Sequence, residues 1–354
     1  MNRSPRILVV RRDNIGDLVC TTPLIAALRA RYPEAWLGAL VNSYNAPVLA
    51  GNDDLSEVIA YTKLKHVDGS QSSWKLLGAR LSDLWRLRRL QLDTVVLAAT
   101  AVSARNQGLA GWLAPKTIVA YDAMLAKKMA GRHEVERVFE LGTKLGIEAP
   151  IPPLKVVPDG GEIERARAAF GAQEGVRVAV HISARRPAQR WPAEHFAELL
   201  RRLHHELGAR CMVLWAPGPA THPQHPGDDE KAARIQALLG ADVPAVFYPT
   251  ARLPTLIGAV AACDAAILPD GGALHLAAAL GKPTVALFGD SPVERWRPWG
   301  VPYRLLRPES RNVKDIAVNE VVATYASLAA DARGFVQSRT APSRYAADAR
   351  PDAR

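Results

Sequence analysis

A chain of 354 residues, 48% of them hydrophobic, is long enough to form two domains with separate apolar cores. No apolar run approaches the roughly eighteen residues of a bilayer-spanning helix, so the composition predicts no membrane-spanning segment. The formal net charge is +10, with most of the excess within residues 1–155, which predicts an anionic partner for the N-terminal half.

Short apolar runs typical of strands alternate with longer runs typical of helices in the first half of the chain. The strands predicted are Ile7–Val10, Trp36–Val41, Val58–Tyr61, Thr94–Ala98 and Thr117–Ala120, and the helices include Thr22–Arg31, Trp74–Leu90 and Glu134–Leu145. The stretch EAPIPPLKVVPDGG, at 148–161, breaks this alternation with prolines and glycines, and it predicts a linker.

The alternation resumes after the linker. The strands predicted are Val176–His181, Cys211–Trp215, Ala245–Phe247, Ala265–Leu268 and Thr284–Phe288, and the helices are Ala193–Leu207, Asp229–Leu239, Leu253–Cys263 and one starting at Ala273. This alternation indicates parallel sheets with right-handed crossovers, so we expect an α/β protein with two doubly wound domains, 1–155 and 156–330, facing across a cleft. Residues 331–354 lack periodicity and predict a disordered tail.

Ligands of doubly wound sheets bind beyond the carboxyl ends of the strands, so the turns there are the candidate sites. The first is in VVRRDNIGDLVCTTP, where a strand ends at Val10 and Asp17 precedes a helix. A carboxylate in this position is suited to accept a proton from a sugar hydroxyl. The alternative is that Asp17 only caps the helix.

The stretch LPDGGALHLAAALGKPTVALFG, at 268–289, places an acid, two glycines and a histidine between a strand and a helix. Gly271 and Gly272 allow a ligand close to the backbone, and the free N–H groups of the following helix favour an anion. Asp270 and His275 can line the same place; the alternatives are an N-cap and a core histidine. The chain contains no Walker GxxxxGK[ST], and this stretch is not a Rossmann GxGxxG.

Two further turns carry charged side chains. The segment HISARRPAQRWP contains Arg185, Arg186 and Arg190, whose guanidinium groups suit phosphate oxygens, with a solvated basic loop as an equal alternative. In LWAPGPATHPQHPGDDEKAARI, Glu230 is placed where it can bind ribose hydroxyls.

The histidines and cysteines predict no metal site. His222 and His225 have no compact set of further ligands, and Cys20, Cys211 and Cys263 are scattered without metal or disulfide spacing. Unpaired cysteines indicate a reducing compartment, so we expect the protein in the cytoplasm.

Taken together and in this order, these turns resemble glycosyltransferase family 9, the ADP-heptose:lipopolysaccharide heptosyltransferases. The resemblance runs from ILVVRRDNIGDLVCTTPLIAALRARYP through RWP and DGGALHLAAALGKPTVALFG to W.PWG at Trp296–Gly300, and it covers about residues 6–325. It implies a GT-B fold of two Rossmann-like domains, the N-terminal one for the acceptor and the C-terminal one for a nucleotide-sugar donor. It also implies an inverting, metal-independent enzyme without a cofactor.

The resemblance assigns roles position by position. Asp17 falls on the general base that deprotonates the acceptor hydroxyl, and Glu230 on the residue that holds the nucleotide ribose. Ser183 falls where hydroxylated residues meet phosphate. The residues that line the donor's diphosphate and sugar are Asp270, Gly271, Gly272 and His275.

The chain departs from the family pattern at the donor phosphate. The family usually has a lysine two residues before Trp-Pro, where Gln189 stands here, and Arg190 or Arg185 is the candidate replacement. The family's Asp-Thr-Gly reads Asp-Gly-Gly, so Gly271 lacks a hydroxyl. These departures leave two alternatives open: another nucleotide sugar and glycan acceptor, or a catalytically silent nucleotide-sugar-binding protein.

The positive N-terminal half fits an anionic glycolipid acceptor such as a lipid A–Kdo core. Lys127, Lys128 and Arg132 are the candidate contacts, with a solvated face as the alternative. A nucleic-acid partner is not expected, because the charge is accompanied by no recognition motif.

The segment 74–90 reads as a basic amphipathic helix. Such a helix can rest on an anionic membrane, which would place the protein at the cytoplasmic face of the inner membrane, although packing on the sheet is the favoured alternative. The apolar residues expected on one face are Leu77, Leu81, Leu84 and Trp85.

Overall fold

The N-terminal domain is built on a five-stranded parallel sheet with the strand order β3-β2-β1-β4-β5. The computed structural model describes residues 3–61, 82–101, 103–172, 175–221 and 226–340, without the side chains of 332–340. The strands are β1 (Arg6–Val10), β2 (Trp36–Asn42), β3 (Glu57–Tyr61), β4 (Thr94–Leu97) and β5 (Thr117–Ala120). The helices are α1 (Ile15–Val19), α2 (Thr22–Arg31), α3 (82–89), α4 (Ala104–Leu113), α5 (Ala123–Lys128) and α6 (Glu134–Phe139).

The central strand β1 carries the sequence RILVV and is buried from Ile7 onward. It pairs in parallel with β2 on one side and β4 on the other. A strand covered on both faces is apolar throughout, which explains its unbroken hydrophobic run. The loop after β1 therefore emerges in the middle of the carboxyl edge of the sheet, where doubly wound proteins bind ligands.

The C-terminal domain has a six-stranded parallel sheet with the order β11-β10-β9-β6-β7-β8. The strands are β6 (Arg177–His181), β7 (Arg210–Trp215), β8 (Val246–Pro249), β9 (Ala265–Pro269), β10 (Thr284–Leu287) and β11 (Tyr303–Leu306). The helices are α7 (Gly160–Phe170), α8 (Ala193–Leu207), α9 (Asp229–Leu239), α10 (Leu253–Ala261), α11 (Gly272–Ala279), α12 (Val293–Trp296) and α13 (Val318–Thr340). The two parallel sheets confirm the predicted α/β architecture.

The two domains meet where α1 packs on α11. A side chain at Gly16 would clash with Cδ2 of the His275 ring, and a Cβ at Gly272 would lie 3.0 Å from the Cβ of Ile15. Glycine at both positions lets the two backbones approach closely. The helix that follows β1 therefore lies directly against the helix that follows β9.

Two segments differ from the expectations drawn from the sequence. The sequence predicted a disordered tail from residue 331, whereas α13 continues to Thr340. Extending a helix that has already formed costs far less free energy than starting one, so the helix continues through a segment whose hydrophobic periodicity is weak. Residues 341–354 lie outside the described residues, as do positions 74–81 of the predicted helix 74–90.

In the described part of α3, the apolar side is not the one expected. Leu87 is fully buried, whereas Trp85 is 53% exposed and its ring lies edge-on to Trp112, with centroids 5.7 Å apart. Over the residues that the structure describes, no helix is both long and apolar enough to cross a bilayer.

The contact between α1 and α11 predicts that Gly16→Ala destabilises the protein. The added methyl group has to displace the buried His275 ring, and overpacking of this kind costs about 1–3 kcal/mol. Urea unfolding measures the change in the free energy of unfolding. Gly108→Ala is the matched control, because this exposed glycine within α4 has open space around it, and the substitution should stabilise by about 0.5–1 kcal/mol. Equal effects of the two substitutions would contradict the close packing.

Candidate active site

Asp17 lies in α1, just beyond the carboxyl end of β1, with its side chain 13% exposed. Its Oδ1 accepts a hydrogen bond from Arg11 Nη2 at 2.5 Å, and its Oδ2 accepts from the main-chain N and the Nδ2 of Asn14 at 3.2 and 3.0 Å. Burial raises the pKa of Asp17, but Arg11 and Asn14 together outweigh burial and hold the pKa below its ordinary value. The carboxylate is thus ionised at neutral pH, and it both caps the helix and lines the cleft.

A cleft of about 380 Å³ opens beside Asp17. Its volume falls within the range of small-molecule sites. Residues after β1 and β4 line it from the N-terminal domain, and α12 contributes from the C-terminal domain: Arg11, Arg12, Asp13, Asn14, Asp17, Ala99, Thr100, Ala101 and Arg295. The cleft lies between the two domains, as the sequence predicted.

Arg11 is buried beneath this cleft, with 2% of its side chain exposed. Its Nη2 also donates to Glu134 Oε1 at 2.9 Å, its Nε lies 3.1 Å from Asp13 Oδ2, and its Nη1 donates to the carbonyl of Ala98. One guanidinium therefore holds three carboxylates, and Asp17 is one of them.

Glu134 is fully buried at the start of α6 and links the two domains. Its Oε2 accepts from Arg295 Nε at 2.8 Å, and Arg295 Nη2 donates to Thr100 Oγ1 at 2.8 Å. Because Arg295 belongs to α12, a side chain of the C-terminal domain reaches the carboxylate that holds Arg11.

His275 is 3% exposed, so the alternative of a core histidine describes its burial correctly. Its ring packs over Gly16 and lies 5.7 Å from the Trp296 ring. Burial lowers the pKa of His275, although the charges of Asp270 and Asp17 oppose the shift, so the ring is neutral at pH 7. The tertiary structure nevertheless brings it close to Asp17 of the N-terminal domain, whereas Asp270 is only five residues away along the chain.

Gln189 is buried, with 2% of the residue exposed. Its Nε2 donates to Asp270 Oδ2 at 3.1 Å and to Ser291 Oγ at 2.9 Å, and its Oε1 accepts from the main-chain N of Gly289 at 3.0 Å. Both N–H groups of the amide are therefore used inside the protein. The amide of Gln189 thus supports Asp270, and the predicted contact of this position with the donor stays a prediction. Burial raises the pKa of Asp270 above its ordinary value.

Of the arginines in the loop after β6, Arg186 is the one whose charge acts on Asp270. It forms an ion pair with Asp290, and its Nη1 donates to Ser291 Oγ at 3.2 Å. Arg186 therefore shares Ser291 with Gln189 and keeps 51% of its side chain exposed.

The other two arginines of this loop lie differently. Arg190 Nε donates to the carbonyl of Ala184 at 2.8 Å, and its Nη2 lies 3.7 Å from Asp228 Oδ1. Arg185 is exposed, and its charge acts on Tyr44 of the N-terminal domain. Neither has a described contact with Asp270.

Ser183 and Glu230 flank the carboxyl ends of β6 and β7. Ser183 Oγ accepts from the main-chain N of Ala216 at 3.0 Å. Asp229 Oδ1 accepts a hydrogen bond from Trp215 Nε1 at 2.7 Å. The next residue, Glu230, is exposed.

The predicted acceptor contacts lie on the surface near the start of α6. Lys128 pairs with Glu140 at 2.5 Å and Arg132 with Glu136 at 3.4 Å, while Lys127 is exposed in the last turn of α5. Arg132 precedes the buried Glu134 by two residues, so this basic surface lies next to the start of α6. Among the described residues, no three His, Cys, Asp or Glu side chains converge as metal ligands, and His222 and His225 lie outside that part of the chain.

The sequence model of the family described as glycosyltransferase family 9 (heptosyltransferase) matches residues 90–337 of this chain. The chain belongs to glycosyltransferase family 9. The predicted family and the predicted enzyme class, a glycosyltransferase, are thereby confirmed.

Relatives of this family 9 glycosyltransferase match it over most of their length. Lipopolysaccharide heptosyltransferase 2 of Salmonella typhimurium is 26% identical over 326 residues, covering 85% of this chain and 88% of its own. The Escherichia coli K12 protein of the same name is 27% identical over 323 residues, with the same two shares of 85% and 88%.

Solved structures confirm the GT-B fold. The ADP-heptose lipopolysaccharide heptosyltransferase II of E. coli matches with a TM-score of 0.74 at 22% identity, over 93% of this chain and 99% of its own. The family 9 glycosyl transferase of Veillonella parvula DSM 2008 also has a TM-score of 0.74, at 18% identity, over 92% and 97% of the two chains.

In this family 9 glycosyltransferase, several polar residues of the site were not predicted from the sequence: Arg11, Arg12, Asp13, Asn14, Thr100, Glu134 and Arg295. Arg11 directly follows the first strand, so its position at a strand's carboxyl end was a usable signal. Glu134 and Arg295 lie in ordinary amphipathic segments, and nothing local to either position distinguishes them from surface charges.

The geometry predicts that Asp17→Asn abolishes turnover and leaves nucleotide affinity nearly unchanged. An amide cannot accept the proton of an acceptor hydroxyl, and loss of a general base costs on the order of 10²–10⁴-fold in rate. Steady-state kinetics and calorimetric titration with ADP measure the two quantities. Asp13→Asn is the matched control, since Asp13 also pairs with Arg11 and lines the cleft. A normal rate for Asp17→Asn would remove this residue from the mechanism.

Proposed function

We propose that this protein is an inverting, metal-independent glycosyltransferase that moves a heptose from ADP-heptose to a lipopolysaccharide core acceptor. The observation that carries the proposal is an ionised carboxylate, Asp17, held by Arg11 at an interdomain cleft and adjoined by the helix that starts with Gly272. The relatives named as lipopolysaccharide heptosyltransferases support the choice of sugar and acceptor.

In this mechanism, Asp17 accepts the proton of the acceptor hydroxyl as that oxygen attacks the anomeric carbon. The new carbon–oxygen bond forms as the bond to the diphosphate breaks on the opposite side, so the configuration inverts and ADP leaves. The base has to be ionised before it accepts the proton, and the lowered pKa of Asp17 meets that need over the physiological range.

The charge that develops on the departing ADP has to be met by donors fixed in the site. We assign this to the N–H groups at the start of α11, by Gly271 and Gly272, together with the guanidinium of Arg186. Arg186 is favoured over Arg185 and Arg190 because it lies beside Asp270 and Ser291, where Gln189 leaves no cation. In the same proposal, the exposed Glu230 binds the ribose and Ser183 lies near phosphate.

The acceptor is the anionic partner that the basic surface favours. Lys127, Lys128 and Arg132 are proposed to contact carboxylates and phosphates of a lipid A–Kdo core, since their charges adjoin the start of α6. An acceptor of this kind is a membrane lipid, which supports a cytoplasmic protein in peripheral contact with the inner membrane. The exposed Trp85 and its neighbour Trp112 are a proposed contact for that surface.

A panel of ADP-, UDP-, GDP- and CDP-sugars tests the donor. We expect only ADP-sugars to raise the thermal midpoint, because binding to the native state alone stabilises it by mass action. Transfer to heptose-deficient lipopolysaccharide, followed by mass spectrometry of the product, tests the sugar and the acceptor. A selective response to another base, or ADP-heptose binding without transfer, would contradict the proposal.

The assignment of Arg186 predicts that Arg186→Ala weakens ADP binding about 10–100-fold. Hydrogen bonds to charged groups contribute about 1.5–3 kcal/mol each, which corresponds to that range. Calorimetric titration with ADP measures the dissociation constant, and Arg185→Ala, a neighbouring exposed arginine, is the control. The double variant Arg186→Ala/Gln189→Lys should recover part of the lost affinity, because it returns a cation to the same place. A larger loss in Arg185→Ala than in Arg186→Ala would overturn the assignment.

A further inference from the structure

We infer that Arg295 and Glu134 are positioning residues that set the Asp17–Arg11 pair when the two domains are together. The inference rests on the proposed role of Asp17 as the base. It assigns a function to an interdomain ion pair that the motifs of the chain do not mark.

The ion pairs form a continuous chain across the two domains. Asp17 is held by Arg11 at 2.5 Å, Arg11 by Glu134 at 2.9 Å, and Glu134 by Arg295 at 2.8 Å. Arg295 comes from α12 of the C-terminal domain, and the other three residues come from the N-terminal domain. Separation of the domains therefore breaks this chain at Glu134.

Because Glu134 is buried, loss of its contact with Arg295 affects the other ion pairs of the chain. A fully buried carboxylate without its cation is strongly destabilised and draws the remaining positive charge toward itself. Arg11 is the nearest such charge, whereas Arg137 Nε lies 3.9 Å away. Without Arg295, the Arg11 guanidinium shifts toward Glu134. Asp17 then loses part of the contact with Arg11 that keeps it ionised and in place.

A second set of contacts holds the same two segments together. His133 Nδ1 accepts from the main-chain N of Val135 at 3.1 Å, so its Nε2 proton donates to the carbonyl of Arg297 at 2.8 Å. The His133 ring also lies 4.7 Å from the Trp299 ring. Burial lowers the pKa of His133 to about 3, which keeps the ring neutral and this hydrogen bond intact at neutral pH. The segment 295–299 is thus docked at two points on the start of α6.

The charge state of Asp17 depends on all the charged groups around it, and Arg295 is the one that α12 supplies. The titratable and charged groups around Asp17 and its partners are Arg11 and Asp13 after β1, Cys20 after α1, Glu134 and Arg137 of α6, Asp270 and His275 by α11, and Arg295. Cys20 is a buried thiol with a raised pKa and His275 is neutral, so the cations that bear on the carboxylates here are arginines.

The test compares Arg295→Met with the wild-type protein. We expect kcat to fall on the order of 10–100-fold, because small misplacement of a catalytic group has effects of that size, with ADP affinity within about threefold of wild type. The acid limb of the kcat profile should move to higher pH. Asp17 must be ionised to act, so a weaker hold by Arg11 raises its pKa and activity is lost earlier as the pH falls.

Further variants separate positioning from a general loss of structure. Glu134→Gln in the Arg295→Met background should recover at least about fivefold in kcat, since a neutral amide no longer competes for Arg11. Arg295→Lys, which keeps the charge, should lie between Arg295→Met and wild type. Arg297→Met is the matched control in the same segment, because Arg297 contacts His133 through its main-chain carbonyl.

Hydrogen–deuterium exchange provides a readout that needs no catalysis. Peptides covering 11–20 and 131–139 should exchange faster in Arg295→Met than in wild type or Arg297→Met. Wild-type kcat and pH profile in Arg295→Met, a fall in affinity alone, or a purely additive double variant would overturn the inference. A wild-type protein that transfers no sugar would instead refute the proposed function, while the exchange result would still decide whether Arg295 holds this region.

Discussion

The buried guanidinium of Arg11 organises the acidic groups beside the cleft. Asp13, Asp17 and Glu134 carry like charges and would repel one another without a cation between them. Arg11 contacts all three and keeps the pKa of Asp17 below its ordinary value. Because the arginine lies directly after the central strand β1, its position is set by the most deeply buried part of the N-terminal sheet.

The close packing of α1 against α11 brings the two halves of the site together. Gly16 and Gly272 remove the side chains that would keep these helices apart, and the His275 ring occupies the space over Gly16. A carboxylate after β1 and an anion-favouring helix start after β9 are thereby brought side by side. Each group sits at the carboxyl edge of its own sheet, which is where doubly wound domains leave room for ligands.

On the proposed donor side, a neutral residue changes the local electrostatics. Gln189 ties Asp270 to Ser291 and Gly289 through three hydrogen bonds, so the loop geometry is fixed without adding charge. The positive charge near Asp270 comes from Arg186, which is half exposed and also balanced by Asp290. A cation that is both close and exposed can turn toward a diphosphate, whereas a buried amide with its N–H groups already used cannot.

Local pattern in the sequence predicted the two parallel α/β domains, the turn that carries Asp17 and the turn that carries Asp270 and His275. These features depend on the spacing of hydrophobic residues and on the glycine and acidic residues at strand ends. Both are local properties of the sequence. The partners of those residues were decided by the tertiary structure. Glu134 and Arg295 meet Arg11 from remote positions, and Gln189 turns inward, because side-chain contacts between distant segments arise only once the sheets and helices have packed.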